Sequence, residues 1–103
     1  MHITLKDTDE QLRQKIEKIL SGNVTAPLQV ATIWSRLAHP HRSPGSFHVP
    51  DISPQDRGRS QDIIWDLIIE GYLRPGGGDG QNNEMPFFHV TAKGKEYFAK
   101  SFS

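Results

Sequence analysis

Residues 63–90 read IIWDLIIEGYLRPGGGDGQNNEMPFFHV, and the architecture of the whole chain can be predicted outward from this stretch. The apolar side chains before Gly71 follow a helical spacing. A glycine directly after such a pattern is a common way to end a helix. Apolar residues return after a stretch rich in glycine and asparagine, which is typical of two strands joined by a turn. The sequence therefore predicts a helix that ends at Gly71, strands that begin at Tyr72 and at Pro86, and a tip at about 75–86.

Two helices are predicted upstream of this stretch. The first begins after Thr8, because Thr8 and Gln11 have the spacing of a capping box. It stops at Gly22, which we expect to adopt the left-handed conformation of a helix cap. The second runs from near Pro27 to about Ala38, since its apolar residues recur at intervals of three and four and a proline follows.

The third helix is the one that ends at Gly71. Ser53 is its predicted N-cap and Pro54 its first residue. A connection over residues 39–52 precedes it, and this segment is long for a loop in a small domain. Its predicted buried face consists of Ile63, Ile64, Leu67 and Ile68. A last helix follows Thr91, its predicted N-cap, and returns its aromatic residues to the core.

Length and composition bound the class of protein. The 103 residues predict a single domain over 1–103, and the absence of cysteine excludes disulfides and thiolate metal sites. There is no apolar run of the roughly 18 residues that a membrane helix needs, and the N-terminus lacks the apolar core of a signal peptide. We therefore expect a cytoplasmic protein that does not enter a membrane.

Catalysis and cofactor binding are not predicted. The GGGDG run at 76–80 is not followed by the Lys-Ser/Thr pair of a phosphate-binding loop. His39, His41 and His48 lie in a segment without a nearby carboxylate, which favours titratable surface histidines over a metal site. Spacing alone assembles no nucleophile–base pair. We expect no enzyme activity, no metal, no cofactor and no small-molecule ligand.

Two motifs carry a resemblance to a known fold. WDLIIEGYL at 65–73 resembles the helix-to-wing junction of bacterial winged-helix proteins, and HVTAKGKEYF at 89–98 resembles the Thr-x-x-Gly opening of the helix after the wing. The resemblance implies an α+β winged helix-turn-helix domain: a three-helix core, a two-stranded hairpin wing and a C-terminal helix. The sequence departs from that pattern in its long 39–52 connection and in Asp62 and Asp66 on the third helix.

The winged-helix resemblance implies a DNA-binding module, either a bacterial transcription regulator or the DNA-binding part of a larger protein. Its third helix would enter the major groove and its wing would contact the backbone or the minor groove. Its partner would be double-stranded DNA, and its possible protein partners are a second copy of the chain, in a homodimer, or other domains of a longer chain. The expected contacts are Gln55, Arg57, Arg59, Ser60 and Gln61 on the third helix; Arg36, Arg42, Arg74, Lys93 and Lys95 on phosphates; and Gln81, Asn82 and Asn83 in the wing.

Each of these assignments has a structural alternative. Arg59 has the spacing to pair with Asp56 or Asp62 on a solvated helix face, and the wing tip carries acids but no Lys or Arg. Trp65 either packs under the long connection beside Phe47 or joins a protein interface with Ile69 and Tyr72. The formal net charge of zero and the acidic wing favour the competing function, a winged-helix protein-interaction module.

Overall fold

Four helices and three short strands make up the part of the chain that the structure, a computed structural model, describes: residues 4–25, 27–39, 52–76 and 87–101. In chain order these elements are α1 (Asp9–Ser21), β1 (Leu28–Gln29), α2 (Val30–Ala38), α3 (Pro54–Ile69), β2 (Leu73–Pro75), β3 (Phe87–Val90) and α4 (Ala92–Ser101). The architecture is α+β. Within the described ranges, no helix is long and apolar enough to span a bilayer.

The predicted starts of α1, α3 and α4 are confirmed by their hydrogen bonds. Thr8 Oγ1 accepts from Gln11 N at 3.1 Å, and Thr8 N donates to the Gln11 side chain, which completes the capping box. Ser53 Oγ accepts from Asp56 N at 3.3 Å, and Thr91 Oγ1 accepts from Gly94 N at 2.9 Å. These bonds satisfy backbone donors that a helix leaves unpaired in its first turn.

The helix ends agree only in part with the sequence prediction. Gly71, just past the end of α3, has a φ of 90°, so a left-handed residue follows this helix as expected. Gly22 instead has a φ of −87°, which is right-handed, and the predicted left-handed cap of α1 is wrong. Its N–H donates to Ile19 O at 3.2 Å, so α1 closes with a tighter last turn.

The sheet has three strands, where the sequence predicted two. Its order is β1-β3-β2 and both pairings are antiparallel. Leu28 and Gln29 lie opposite Phe88 and Phe87, and this pairing draws them out of the helix that was predicted to begin near Pro27. α2 therefore starts three residues later than predicted. Residues 77–86, which hold most of the predicted tip, lie outside the described residues.

The core joins all four helices to the sheet. On α1, Leu12, Ile16 and Leu20 are buried and Ile19 is half-buried. On α3, Ile63, Ile64 and Leu67 are buried, whereas Ile68 is half-buried at the edge of the same cluster. The fully buried side chains also include Phe88 from β3 and Phe98 from α4. α3 is thus fixed along one side, and its opposite side faces solvent.

α4 lies very close to the segment that follows α3. A Cβ atom placed on Gly94 would be 2.1 Å from Tyr72 O and 2.9 Å from a methyl of Val90. Thr91 N donates to the same Tyr72 carbonyl at 3.0 Å. The Tyr72 and Tyr97 rings stack with their centroids 4.1 Å apart. The glycine of the Thr-x-x-Gly motif therefore allows the two backbones to meet.

Candidate nucleic-acid interface

The first two turns of α3 expose a polar surface. Gln55, Gly58 and Gln61 are exposed, and at 100° per residue they lie on the side of α3 that faces away from the core. Arg57 lies half-buried at the edge of this surface. Within residues 54–61, the acidic residue is Asp56, which points the other way and is only 2% exposed. Within residues 54–61, this surface therefore displays hydrogen-bonding groups and no exposed carboxylate, and Asp62 is the next acid along the helix.

Arg57 is held beside α2 by an aromatic contact. Its guanidinium carbon lies 5.3 Å from the centre of the Trp34 ring, a distance typical of a cation–π interaction. Trp34 Nε1 donates to Ser60 Oγ at 2.7 Å, and Ser60 Oγ donates to Arg57 O at 2.8 Å. These contacts tie the first half of α3 to α2. They also fix the backbone of Arg57 and place its guanidinium over the Trp34 ring, at the edge of the polar surface.

Ser60, one of the predicted DNA contacts, lies in the core. Its exposure is 0%, and its hydroxyl is both donor and acceptor in the bonds to Arg57 and Trp34. The helical wheel explains the placement, because Ser60 lies between Asp56 and Ile64 on the buried side of α3. Its role in this structure is to satisfy the indole N–H of a half-buried tryptophan.

Arg59, another predicted DNA contact, binds acidic and carbonyl groups of the chain itself. Its Nε is 2.9 Å from Asp9 Oδ1, its Nη1 is 2.9 Å from Asp56 Oδ1, and its Nη2 donates to Asp7 O. The pairing with Asp56 is the structural alternative that the sequence offered. The contacts with Asp7 and Asp9 cross about fifty positions of sequence and had no local signal. Arg59 thus fastens the segment before α1 to the start of α3.

Asp56 is the buried acceptor at the centre of this attachment. It accepts hydrogen bonds from Leu5 N and Ser53 Oγ, both at 2.8 Å, in addition to its ion pair with Arg59. Burial alone would raise the pKa of the Asp56 carboxyl, but the bonds from these three donors outweigh burial and hold that pKa below its ordinary value. Asp56 therefore stays ionised, and its charge is directed inward.

The remaining predicted cations are spread over several elements. Arg36 is half-buried on α2, Arg74 is exposed on β2 opposite His89, and Lys95 is exposed on α4. Lys93 Nζ donates to Glu70 O at 2.9 Å and lies 5.3 Å from the centre of the Tyr72 ring. The structure does not bring these four together with Arg57 through any described contact. Arg42, Gln81, Asn82 and Asn83 lie outside the described residues.

The second half of α3 has a different chemistry. Trp65 is 45% exposed and Ile69 is 79% exposed, and within the described ranges these are the exposed large hydrophobic side chains. Asp62 and Asp66 are exposed next to them. Phe47, the alternative partner of Trp65 in the sequence prediction, lies outside the described residues. The sequence did single out Trp65 and Ile69 as candidates for an interface.

The comparisons with known proteins bring no relative. The chain matches no protein family, no curated protein and no solved structure. Over the described residues, there is also no group of three or more His, Cys, Asp or Glu side chains placed to hold a metal ion. The function must therefore be argued from the geometry of α3 and its surroundings.

Proposed function

We propose that this chain is a DNA-binding module of the winged-helix type, in which the first two turns of α3 contact the duplex. One observation carries the proposal: these turns expose Gln55, Gly58 and Gln61, with Arg57 beside them, while the charge of Asp56 is buried. The α+β order of four helices and a small antiparallel sheet is compatible with such a domain.

The residue types suit base recognition. In helix-turn-helix proteins the N-terminal residues of the recognition helix contact base edges. An arginine such as Arg57 can donate two hydrogen bonds to a guanine edge. A glutamine such as Gln55 or Gln61 can donate one hydrogen bond to adenine and accept one from it. Each such pair is worth about 1–3 kcal/mol of discrimination between bases. Gly58 lies between them and adds no side chain that would hold the helix away from the groove.

Arg59 acts as a positioning residue in this proposal. By holding the segment before α1 against the start of α3, it fixes the helix that carries the contacting side chains. Arg36, Arg74, Lys93 and Lys95 remain proposed phosphate contacts, with Arg42 and the wing residues Gln81, Asn82 and Asn83. Phosphate contacts orient a protein on the duplex and carry no sequence information directly. The biological setting that we propose is bacterial transcription regulation, by this chain or by a larger protein that contains it.

The test is fluorescence anisotropy of a labelled mixed-sequence duplex, titrated with the protein over a series of salt concentrations. We expect the affinity to fall steeply with salt, because bound phosphates release counterions. Arg57→Ala should weaken binding about 5- to 100-fold, and Gln55→Ala with Gln61→Ala by a similar factor. Gln14→Ala and Lys18→Ala, at exposed positions of α1, are the matched controls and should change the affinity less than about twofold.

Two results would reject the proposal. One is the absence of binding at low salt by protein whose circular dichroism shows it folded. The other is an equal loss of affinity in the α1 controls, which would mean that binding is diffuse and that α3 has no special part in it.

A second candidate function is a protein-interaction module, and one specific observation favours it. Trp65 and Ile69 are exposed on the outward side of α3, where Asp62 and Asp66 would repel phosphates. Exposed apolar side chains grouped on one face are typical of protein interfaces. The absence of DNA binding in the titration would make this candidate the leading one.

A further inference from the structure

The second half of α3 carries two parallel rows of side chains on its outward side. Residues four apart are neighbours on a helix surface. Trp65 and Ile69 form an apolar row, and Asp62 and Asp66 form an acidic row beside it. We call these four residues the apolar–acidic surface. Along the axis of α3, Gly58 in the middle of the polar surface and Ile69 at the far end of the apolar–acidic surface are about 16 Å apart.

Within the described part of the chain, no ion pair neutralises the acidic row. Among the described residues, neither Asp62 nor Asp66 has a cationic partner. Like charges four residues apart weaken a helix. Asp66 also lies near the C-terminal end of α3, where a negative charge is unfavourable, and the last turn of α3 contains no basic residue. Both effects are relieved when a cation binds next to the row.

We propose that the apolar–acidic surface docks a segment of another protein that carries apolar side chains flanked by Lys or Arg, in the form of an amphipathic cationic helix. The apolar row would enter the partner's apolar face, with Trp65 as the anchor, since tryptophan is enriched among the residues that dominate binding energy. The acidic row would pair with the flanking cations. This inference goes beyond DNA binding and does not depend on it.

Charge decides between this partner and the other occupants of the surface. DNA would bring phosphates against Asp62 and Asp66. A second copy of the chain in a two-fold dimer would bring four carboxylates into one interface without any cation, because such an interface uses the same patch on both subunits. A cationic segment avoids both repulsions. A helix suits the shape, because α3 presents a ridge that packs into the groove of a second helix at about 8–10 Å between axes.

The experiment is a nuclear magnetic resonance titration of the ¹⁵N-labelled protein with three synthetic helical peptides of equal length. The first peptide has Leu on one face of its helix and Lys on the opposite face. The second has Glu in place of Lys, and the third has Ser in place of Leu. We expect the Leu/Lys peptide to shift the indole signal of Trp65 and the amides of residues 62–69. The other two should bind at least tenfold more weakly. The indole signal of Trp34, bonded to Ser60, serves as the internal reference and should stay in place.

Charge reversal makes the test specific. The double substitution Asp62→Lys with Asp66→Lys should lower the affinity for the Leu/Lys peptide at least tenfold. It should raise the affinity for the Leu/Glu peptide by a similar factor. Glu10→Lys, at an exposed acid on α1, is the control and should change neither affinity more than about twofold. Because all these positions are exposed, the folded spectrum should persist in each variant.

Four results would overturn the proposal. The Leu/Lys peptide could fail to move Trp65, the Ser/Lys peptide could bind as tightly, or the Leu/Glu peptide could bind as tightly. The fourth is a dimer in sedimentation velocity that Ile69→Ser dissolves, which would assign the surface to self-association. None of these results touches the Arg57 dependence of DNA binding, so the two proposals fail separately.

Discussion

Replacing Gly94 by alanine tests the closest backbone approach in this protein. Gly94 lies in the first turn of α4, where an alanine would by itself favour the helix by about 1 kcal/mol. The added methyl, however, would lie 2.1 Å from Tyr72 O and 3.0 Å from the carbonyl carbon of the same residue. Carbon and oxygen rarely approach closer than about 3.3 Å. The methyl would therefore force α4 and Tyr72 apart by more than about 1 Å.

The cost of that separation follows from what α4 contributes. The hydrogen bond from Thr91 N to Tyr72 O, at 3.0 Å, would be lost or stretched, at about 1 kcal/mol. Phe98, which is 1% exposed, would become partly exposed. Full burial of such a side chain stabilises a protein by about 1.5–3 kcal/mol, and part of that stabilisation would be lost. Strain at Val90 adds to both. After subtraction of the gain in helix propensity, we expect a net destabilisation of about 2–4 kcal/mol.

The measurement is urea unfolding followed by circular dichroism, with Gly58→Ala as the matched control. Gly58 is also inside a helix, but nothing lies within 4 Å of an added methyl there. The same substitution at that position should therefore stabilise the protein by about 0.5–1 kcal/mol. In a domain of this size, 1 kcal/mol corresponds to about 4–8 °C in Tm. If Gly94→Ala were as stable as the unsubstituted protein, or more stable, the close approach of α4 to Tyr72 O could not be what requires a glycine there.

Three further substitutions test contacts described above. Asp56→Asn should destabilise the protein by about 2–4 kcal/mol at neutral pH, because it breaks a buried ion pair. The folded-state pKa of Asp56 lies below its unfolded value of about 3.9, so this loss of stability should be present above that pH and shrink as the pH falls further. Urea unfolding from about pH 7 to about pH 3 measures it. Ser60→Ala should cost about 1–3 kcal/mol by leaving the Trp34 N–H without its acceptor, measured by thermal unfolding. Gly71→Ala, at a φ of 90°, should cost about 1 kcal/mol in the same assay.

The sequence predicted the helices well because their signals are local. A cap and the backbone donor that it satisfies lie within three residues of each other, as at Thr8, Ser53 and Thr91. The buried face of α3 could likewise be predicted from the spacing of Ile63 and Leu67. The start of α2 was predicted too early because a distant segment competes for the same backbone: Leu28 and Gln29 pair with β3 and so lie outside the helix. The error at Gly22 was local, since its N–H bonds to Ile19 O in a right-handed turn.

The candidate site was less predictable, because charge can be counted from a sequence but the partner of a charge cannot. Arg57 and Arg59 looked equivalent as DNA contacts. One lies over the ring of Trp34 at the edge of an exposed surface, and the other is held by Asp9 and Asp56. The spacing of three residues gave a hint of the Arg59–Asp56 pair. The bond to Asp9 joins residues fifty positions apart and left no pattern.

The positions of α1, α3 and α4, the apolar faces of the helices and the glycine after α3 thus follow from the amino-acid sequence, since each of these depends on residues within one or two turns. The third strand of the sheet, the lack of room for a side chain at Gly94 beside the carbonyl of Tyr72, and the exposure of Trp65 and Ile69 became clear from the tertiary structure. The physical reason is the same in all three cases: contacts between residues far apart in the chain determine which backbone groups are paired, which charges are neutralised and which side chains remain exposed to a partner.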